Sequence, residues 1–186
     1  YEVEFGLFNA VTHAESAEER MAYYQELREG LRTVEANYDI VLMDSPPALG
    51  MISINILAAA DAVVVPTPPS LYDFASTAQY FKMVKRVVES ITPGKKFDFI
   101  KVMPTKVEKN KGRQMDFLDI MRDRFGMSML RSIFSSTSQI PNAASLYQTL
   151  YDLPKGERDN AVMDMLDEVF GEIEGLIRKS WEEQAS

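Results

Sequence analysis

The chain has 186 residues, 46% hydrophobic and 26% charged, which is enough for one domain with a core. It carries 20 Lys and Arg against 28 Asp and Glu, a formal net charge of −8, so its average surface repels nucleic acid and any DNA contact requires a local basic patch. The absence of cysteine excludes disulfides, thiolate catalysis and cysteine-bound zinc, the single histidine (His13) excludes a histidine-rich metal site, and no apolar run nears the ~18–20 residues that span a bilayer.

His13 reads as an ordinary loop residue. Ser16 and Glu19 form an S-x-x-E capping box. After it Ala17, Met21, Tyr24, Leu27, Leu31 and Val34 recur at helical spacing, which predicts one helix with an apolar face, ended at Asn37 and Tyr38. Residues 40–43 are an unbroken apolar run, the pattern of a strand buried on both faces. Residues 52–60 are apolar and alanine-rich and predict a buried helix. Residues 62–65 predict a second strand, stopped by "PTPP". Asp73 is placed to cap the next helix, lined on one side by Phe74, Ala78, Phe81, Val84, Val88 and Ile91 and ended by "TPG". Residues 97–103 read as a third strand, closed by Pro104. Met115, Leu118, Met121 and Phe125 mark a helix with Gly126 at its C-terminal end. Residues 129–134 predict a fourth strand and residues 142–150 a short helix. Val162, Met165, Leu166, Val169, Ile173, Leu176 and Ile177 define a long terminal helix, with Glu168, Glu172, Glu174, Glu182 and Glu183 on its polar face.

Strands alternate with helices and are apolar throughout. The architecture this predicts is α/β, a mostly parallel sheet with helices on both faces and right-handed crossovers. There is no repeat, low-complexity tract or linker. Residues 153–158 are the softest joint and read as a loop, so residues 1–186 are expected to form part of a single domain.

The stretch "YDIVLMDSPPALG", residues 38–50, runs from apolar strand to charge to stiff turn. In open parallel sheets ligands gather beyond the carboxyl ends of strands, where Asp44, Pro66 with Thr67, and Pro104 with Thr105 are expected. A carboxylate at a buried strand tip is costly unless a cation or donor meets it. Mg²⁺ is one such cation, and a strand-end aspartate near Mg²⁺ is the Walker B arrangement of P-loop NTPases. Spacing alone equally allows Asp44 to cap the turn that follows. Pro46 and Pro47 fix φ and remove two donors, which suits a switch segment meeting a phosphate or simply a rigid turn. Gly50 permits close backbone approach.

Residues 38–81, "YDIVLMDSPPALGMISINILAAADAVVVPTPPSLYDFASTAQYF", resemble the switch region of the ParA-type partition ATPases, deviant-Walker P-loop proteins that segregate plasmids and chromosomes in bacteria. The resemblance continues through "FIKVMPTKVEKNKG" and "SMLRSIF", covers roughly residues 38–153, and is greatest to the plasmid-type branch, whose members carry an N-terminal DNA-binding region. It implies a three-layer α/β/α P-loop domain, ATP and Mg²⁺ as cofactors, and a homodimer in the ATP state. It also implies non-specific DNA binding, a ParB-type partner protein that stimulates slow hydrolysis, and a cytoplasmic, nucleoid-associated setting. By resemblance Asp44 is the catalytic, Mg²⁺-associated aspartate. Ser45, Pro46, Pro47 and Gly50 match the switch loop, and Thr105 and Lys106 hold the strand-end position near the base.

One element of that pattern is missing from the sequence. Nothing reads G-K-G-G-x-G-K-[ST], the loop that supplies backbone donors, a lysine and a hydroxyl to the phosphates and Mg²⁺. The pairings of Gly94 with Lys95 and of Lys111 with Gly112 lack the spacing and the preceding strand. The expectation is that the loop and its strand lie upstream of Tyr1. The chain is then a C-terminal fragment holding half a nucleotide site, and inactive alone as an ATPase.

The basic clusters Lys82, Lys85, Arg86; Lys95, Lys96, Lys101; Lys106, Lys109, Lys111, Arg113; and Arg122, Arg124, Arg131 read either as solvated faces or as phosphate contacts. No aromatic residues interleave as in a base-stacking groove. The acidic terminal helix argues against a membrane partner. Met21, Met115, Met121 and Met165 fall on core stripes and read as packing. Two other readings stay open: a non-catalytic α/β interaction module, and a related deviant-Walker ATPase of cell-division positioning.

Overall fold

The computed structural model describes residues 2–46 and 50–185. Its first element is one that the apolar pattern did not signal, helix α1 (Glu2–His13). Val3, Phe5 and Phe8 point to solvent on it, so its apolar residues do not fall on one buried stripe. His13 ends this helix rather than lying in a loop, with Nδ1 2.8 Å from the Asn9 carbonyl.

The capping box forms in its first half, while its carboxylate reaches one residue past the Ser16 cap. The Glu19 N–H donates to Ser16 Oγ at 3.0 Å, and the Glu19 carboxylate accepts from the Glu15 N–H at 2.8 Å. The helix it starts is not the single one expected. It divides into α2 (Ala17–Tyr23), α3 (Glu26–Leu31) and a 3₁₀ turn (Glu35–Asn37). The cause lies in α4 (Met51–Ala59), the buried helix predicted over 52–60, which buries Met51, Ser53, Asn55, Leu57 and Ala58. Asn55 Nδ2 donates to the Tyr23 carbonyl at 3.0 Å, and its Oδ1 accepts from the Leu27 N–H at 3.2 Å. Those two backbone groups are the i→i+4 pair that would bridge the break, and a side chain inserted into the ladder is a recognised cause of a kink.

The strand expected at residues 40–43 is absent. Residues 39–46 have no regular secondary structure, with Leu42 91%, Ile40 47% and Val41 43% exposed. A strand is completed by its neighbours, since unpaired N–H and C=O groups gain nothing from extension. Residues 39–45 make no backbone–backbone hydrogen bond among the described residues. Asp44 therefore lies in an irregular run and not at the end of a sheet strand.

The remaining elements are β1 (Ala62–Thr67), α5 (Leu71–Ile91), β2 (Phe99–Val107), α6 (Gly112–Phe125), β3 (Phe134–Ser135), α7 (Gln139–Ser145) and α8 (Asn160–Gln184). The chain divides into two compact units, residues 2–62 with 79–97 and residues 63–78 with 98–185. The second unit holds the three-stranded sheet, in the order β1-β2-β3, with β3 parallel to β2.

The prolines expected to stop strands lie inside them. Pro66 is within β1, an edge strand, the position in a sheet where proline is best tolerated. Pro104 is within the central strand β2 and fully buried, just before a register irregularity between Thr105 and Val107. Thr105 and Lys106 are thus strand residues. The fourth strand is much shorter than expected. Met129 makes a parallel bridge to Val102, and pairing resumes only at β3. Between them Glu172 of α8 captures the Arg131 and Ser132 N–H groups at 2.9 and 2.8 Å, which removes both from the ladder. Glu172 is therefore an anchor rather than part of a solvated face.

Asp73 does not cap α5. Ser70 precedes the helix, accepts from the Asp73 N–H at 3.2 Å and donates to the Asp73 carboxylate at 2.5 Å. The short helix predicted over 142–150 is shifted to α7, and Leu150 is buried in the turn after it. The core of this unit joins Ala143, Leu150 and Leu166, with Phe134, Ile140, Leu153, Val162 and Met165 packed around them. Met121 and Leu118 of α6 are also fully buried, and Phe74 packs edge-on against Phe117 at 6.0 Å. The apolar stripe of α8 and the Gly126 terminus of α6 follow the sequence pattern.

Candidate functional site

The residues singled out in sequence lie in both units. In the first, Asp44 is exposed and its carboxylate makes no hydrogen bond or ion pair among the described residues. The turn that Asp44 could equally cap includes residues 47–49, which lie outside the described residues. Ser45 Oγ donates to the Pro46 carbonyl and to Ser53 Oγ, each at 3.3 Å, and Ser53 Oγ lies 3.5 Å from the same carbonyl. These contacts fasten the chain just after Asp44 to the first turn of α4. Pro47 lies outside the described residues.

Gly50 is the N-cap of α4, with φ −95°, so no left-handed backbone demands glycine there. Space does not strictly demand it either, because the nearest atoms are the far end of the flexible Glu4 side chain. A Cβ at Gly50 would stand 1.8 Å from Glu4 Oε1. The close approach expected at Gly50 is thus filled by a carboxylate of α1, an anion at a helix N-terminus, where the macrodipole favours it.

In the second unit Thr105 pairs with Phe134 across the ladder, whereas Val107 pairs with the next residue, Ser135. Lys106 is the extra residue of this bulge. It is exposed and adopts φ 54°, an uncommon conformation for a residue with a Cβ. The Glu108 N–H then donates to Gln114 Oε1 at 2.8 Å, which fixes the loop into α6. Thr67 at the end of β1 is buried, its hydroxyl 3.1 Å from that of Thr77.

Among the described residues no group of three or more His, Cys, Asp or Glu side chains is placed to hold a metal ion. Asp44 fits the part of a single oxygen ligand to Mg²⁺, an ion that keeps most of its shell as water and phosphate oxygen. It does not make a metal site alone.

The basic clusters prove uneven. Lys85 pairs with Glu89 at 3.7 Å, Lys111 with Glu108 at 2.8 Å and Arg122 with Asp119 at 3.6 Å. Lys101 donates to the Met127 carbonyl. Lys95 has a side chain only 7% exposed, 4.0 Å from Asp61 and 5.6 Å above the Phe97 ring. Lys82, Arg86, Lys96, Lys106, Lys109, Arg113, Arg124 and Arg131 are exposed and have no ion pair among the described residues. Sequence reading missed a cleft of about 610 Å³ in the first unit, lined by Gln25, Arg28, Asp61, Thr92, Lys95 and Lys96. Its residues are distant in sequence, and no local motif links them.

A family model described as an AAA domain matches residues 6–97. The solved structure of cobyrinic acid a,c-diamide synthase from Mycobacterium smegmatis aligns with a TM-score of 0.58 at 23% identity, over 74% of this chain and 51% of that one. The same enzyme with bound ADP and magnesium aligns at 0.58 and 21%, over 78% and 58%. The fold is thus the three-layer α/β/α type with a parallel sheet, here a small one.

Protein SopA of Escherichia coli K12 is 27% identical over 163 residues, which is 84% of this chain and 42% of SopA. The chromosome partitioning protein ParA of Myxococcus xanthus is 35% identical over 74 residues, 40% of this chain and 26% of ParA. The sporulation initiation inhibitor protein Soj of Bacillus subtilis is 25% identical over 145 residues, 77% of this chain and 56% of Soj. These relatives and the matched domain support a ParA-type partition ATPase family, and the chain spans less than half the length of SopA.

Proposed function

We propose that this chain is the C-terminal, switch-bearing part of a single ParA-type ATPase domain. The whole protein would bind ATP and Mg²⁺, pair with a second copy in that state, and bind DNA without sequence preference to segregate plasmid or chromosome copies. A ParB-type protein is the proposed stimulating partner, and the proposed setting is the cytoplasm, at the nucleoid. The observation that carries this reading is the Asp44 carboxylate, exposed and unpartnered among the described residues, directly before a loop fastened to α4 through Ser45, Pro46 and Ser53.

In this reading Asp44 holds Mg²⁺, directly or through water. Ser45, Pro46, Pro47 and Gly50 form the segment that senses the terminal phosphate. Thr105 and Lys106 lie on the side of the base, and the exposed, unpaired lysines and arginines supply phosphate contacts to DNA. Mg²⁺, when bound, neutralises charge on the phosphates. This chain contributes the carboxylate that fixes the ion and the short hydrogen-bonded path from Ser45 to α4. It lacks a glycine-rich lysine loop, so most of the electrostatic stabilisation of phosphoryl transfer is missing from it.

The test is phosphate release measured on two proteins. This chain alone is expected to give no turnover above a buffer blank. The whole protein is expected to hydrolyse ATP, and Asp44→Ala to lower its rate about 100-fold or more. Clear turnover by this chain, or an Asp44→Ala protein as active as the parent, overturns the reading.

A further inference from the structure

The joint between α2 and α3 is held open by a group that has no counterpart in an ordinary helix. Asn55 is 3% exposed, and its amide takes up both backbone groups that a continuous helix would join to each other. The Leu27 N–H reaches Asn55 Oδ1 instead of the Tyr23 carbonyl, and that carbonyl is bonded to Asn55 Nδ2. A further bond from Nδ2 to the Met51 carbonyl, 3.2 Å, fixes the amide on its own helix. The backbone leaves helical geometry only locally. Tyr24 remains right-handed at φ −76°, ψ −12°, and Gln25 departs to φ −114°, ψ 4°.

The sequence on either side favours closure. Ala17, Met21, Tyr24, Leu27, Leu31 and Val34 keep one helical period straight across the break. No proline interrupts residues 17–34, and Gly30 lies beyond the joint. Local preference and tertiary insertion therefore oppose one another at a single place, and the arrangement that results depends on where α4 sits. Two residues before Asn55, in the first turn of α4, Ser53 meets the Ser45–Pro46 segment. One short helix thus connects the stretch after Asp44 to the α2–α3 joint.

We propose that Asn55 is a positioning residue of a two-state joint. With α4 seated, its amide splits the helix at Tyr24–Gln25, and with α4 withdrawn, α2 and α3 close into one. The link from this joint to a nucleotide rests on the function proposed above, whereas the joint itself does not.

The experiment uses this chain as it is. Asn55→Leu removes the amide and keeps an apolar side chain of similar size. The backbone ¹³Cα shifts of Tyr24 and Gln25 are expected to move to helical values, with a gain in far-ultraviolet helical signal. If Asn55 were only a structural contact, the variant would lose stability while those shifts stayed non-helical, and that result overturns the proposal. Asn55→Ala, which also removes the amide but needs no room for a larger apolar group, gives the same reading if the leucine variant does not fold. In the whole protein, Mg-ATP is expected to change hydrogen exchange at the Tyr24–Leu27 amides, with nucleotide binding followed separately by a fluorescent ATP analogue. Binding without change at those amides overturns the link between joint and switch. Absence of binding overturns the proposed function, and the link with it.

Discussion

At the scale of single residues, what a side chain does here is set by the backbone groups that tertiary structure brings to it. In sequence Glu172 is one of several glutamates on a polar helix face, and Asn55 carries no signal of its own within an apolar helix. Each proves to satisfy a pair of backbone groups that would otherwise lie unbonded. Burial works to raise the Glu172 carboxyl, but the Arg131 and Ser132 N–H groups and the nearby Arg131 charge outweigh it, so its pKa falls below the usual 4.5. A carboxylate with a depressed folded pKa adds stability that is present in full above its unfolded value. That stability is lost as pH falls through the folded value. Glu172→Gln keeps the shape and weakens the acceptor, so it is expected to cost about 1–2 kcal/mol at pH 7. The gap between wild type and variant should close as pH is lowered below about 4.5. Urea unfolding at pH 7 and at pH 3 measures this. A gap that is unchanged at pH 3 means that the two N–H bonds do not depend on the charge.

At the scale of elements, the helices α5, α6 and α8 were legible because a helix satisfies its backbone internally and declares its buried side by period, and α4 was legible as an apolar, alanine-rich run. Strands β1 and β2 were legible as apolar runs, but their ends were not. Proline read as a stop, whereas an edge position for Pro66 and a bulge after Pro104 absorb the missing donors. The run at residues 40–43 is the sharpest case. Its pattern is that of a fully buried strand, yet pattern states only what the run could bury, and pairing requires neighbours. Among the described residues of the first unit there are none, and Leu42 stands 91% exposed. The site was legible to the same degree: a carboxylate before a stiff turn is a local motif, whereas the Glu4 carboxylate against Gly50 is a contact between distant segments that no spacing reveals. The consequence is measurable. In this chain Leu42→Ala is expected to change stability by less than about 0.5 kcal/mol, as for an exposed surface position. In the whole protein of the proposed function, where the run would lie in the sheet, the same change is expected to cost about 2–5 kcal/mol. Paired denaturation curves decide the matter, and a large loss in this chain would mean that Leu42 is buried after all.

At the scale of the whole molecule, the charge balance constrains how DNA could be held. A net charge of −8 opposes a polyanion on average, so binding has to come from cations that are exposed and not already neutralised. Counting lysines and arginines along the sequence overstates the supply, because several are held by carboxylates one helical turn away. Lys111 and Arg113 make the clearest comparison, since they lie two positions apart at the start of α6. Lys111 is paired with Glu108 at 2.8 Å, and binding a phosphate would require breaking that pair. Arg113 is exposed and has no ion pair among the described residues. If the DNA face proposed above includes this turn, Arg113→Ala in the whole, ATP-loaded protein should weaken binding to random-sequence duplex equally for all sequences. It should also reduce the slope of log K against log salt by about 0.9, the release expected for one phosphate contact. Lys111→Ala should leave the slope nearly unchanged, because a lysine held by Glu108 makes no phosphate contact and so accounts for no released counterion. Equal slopes for Arg113→Ala and the parent protein would remove this turn from the DNA face and leave Lys82 and Arg86 of α5 as the next exposed, unpaired cations to test.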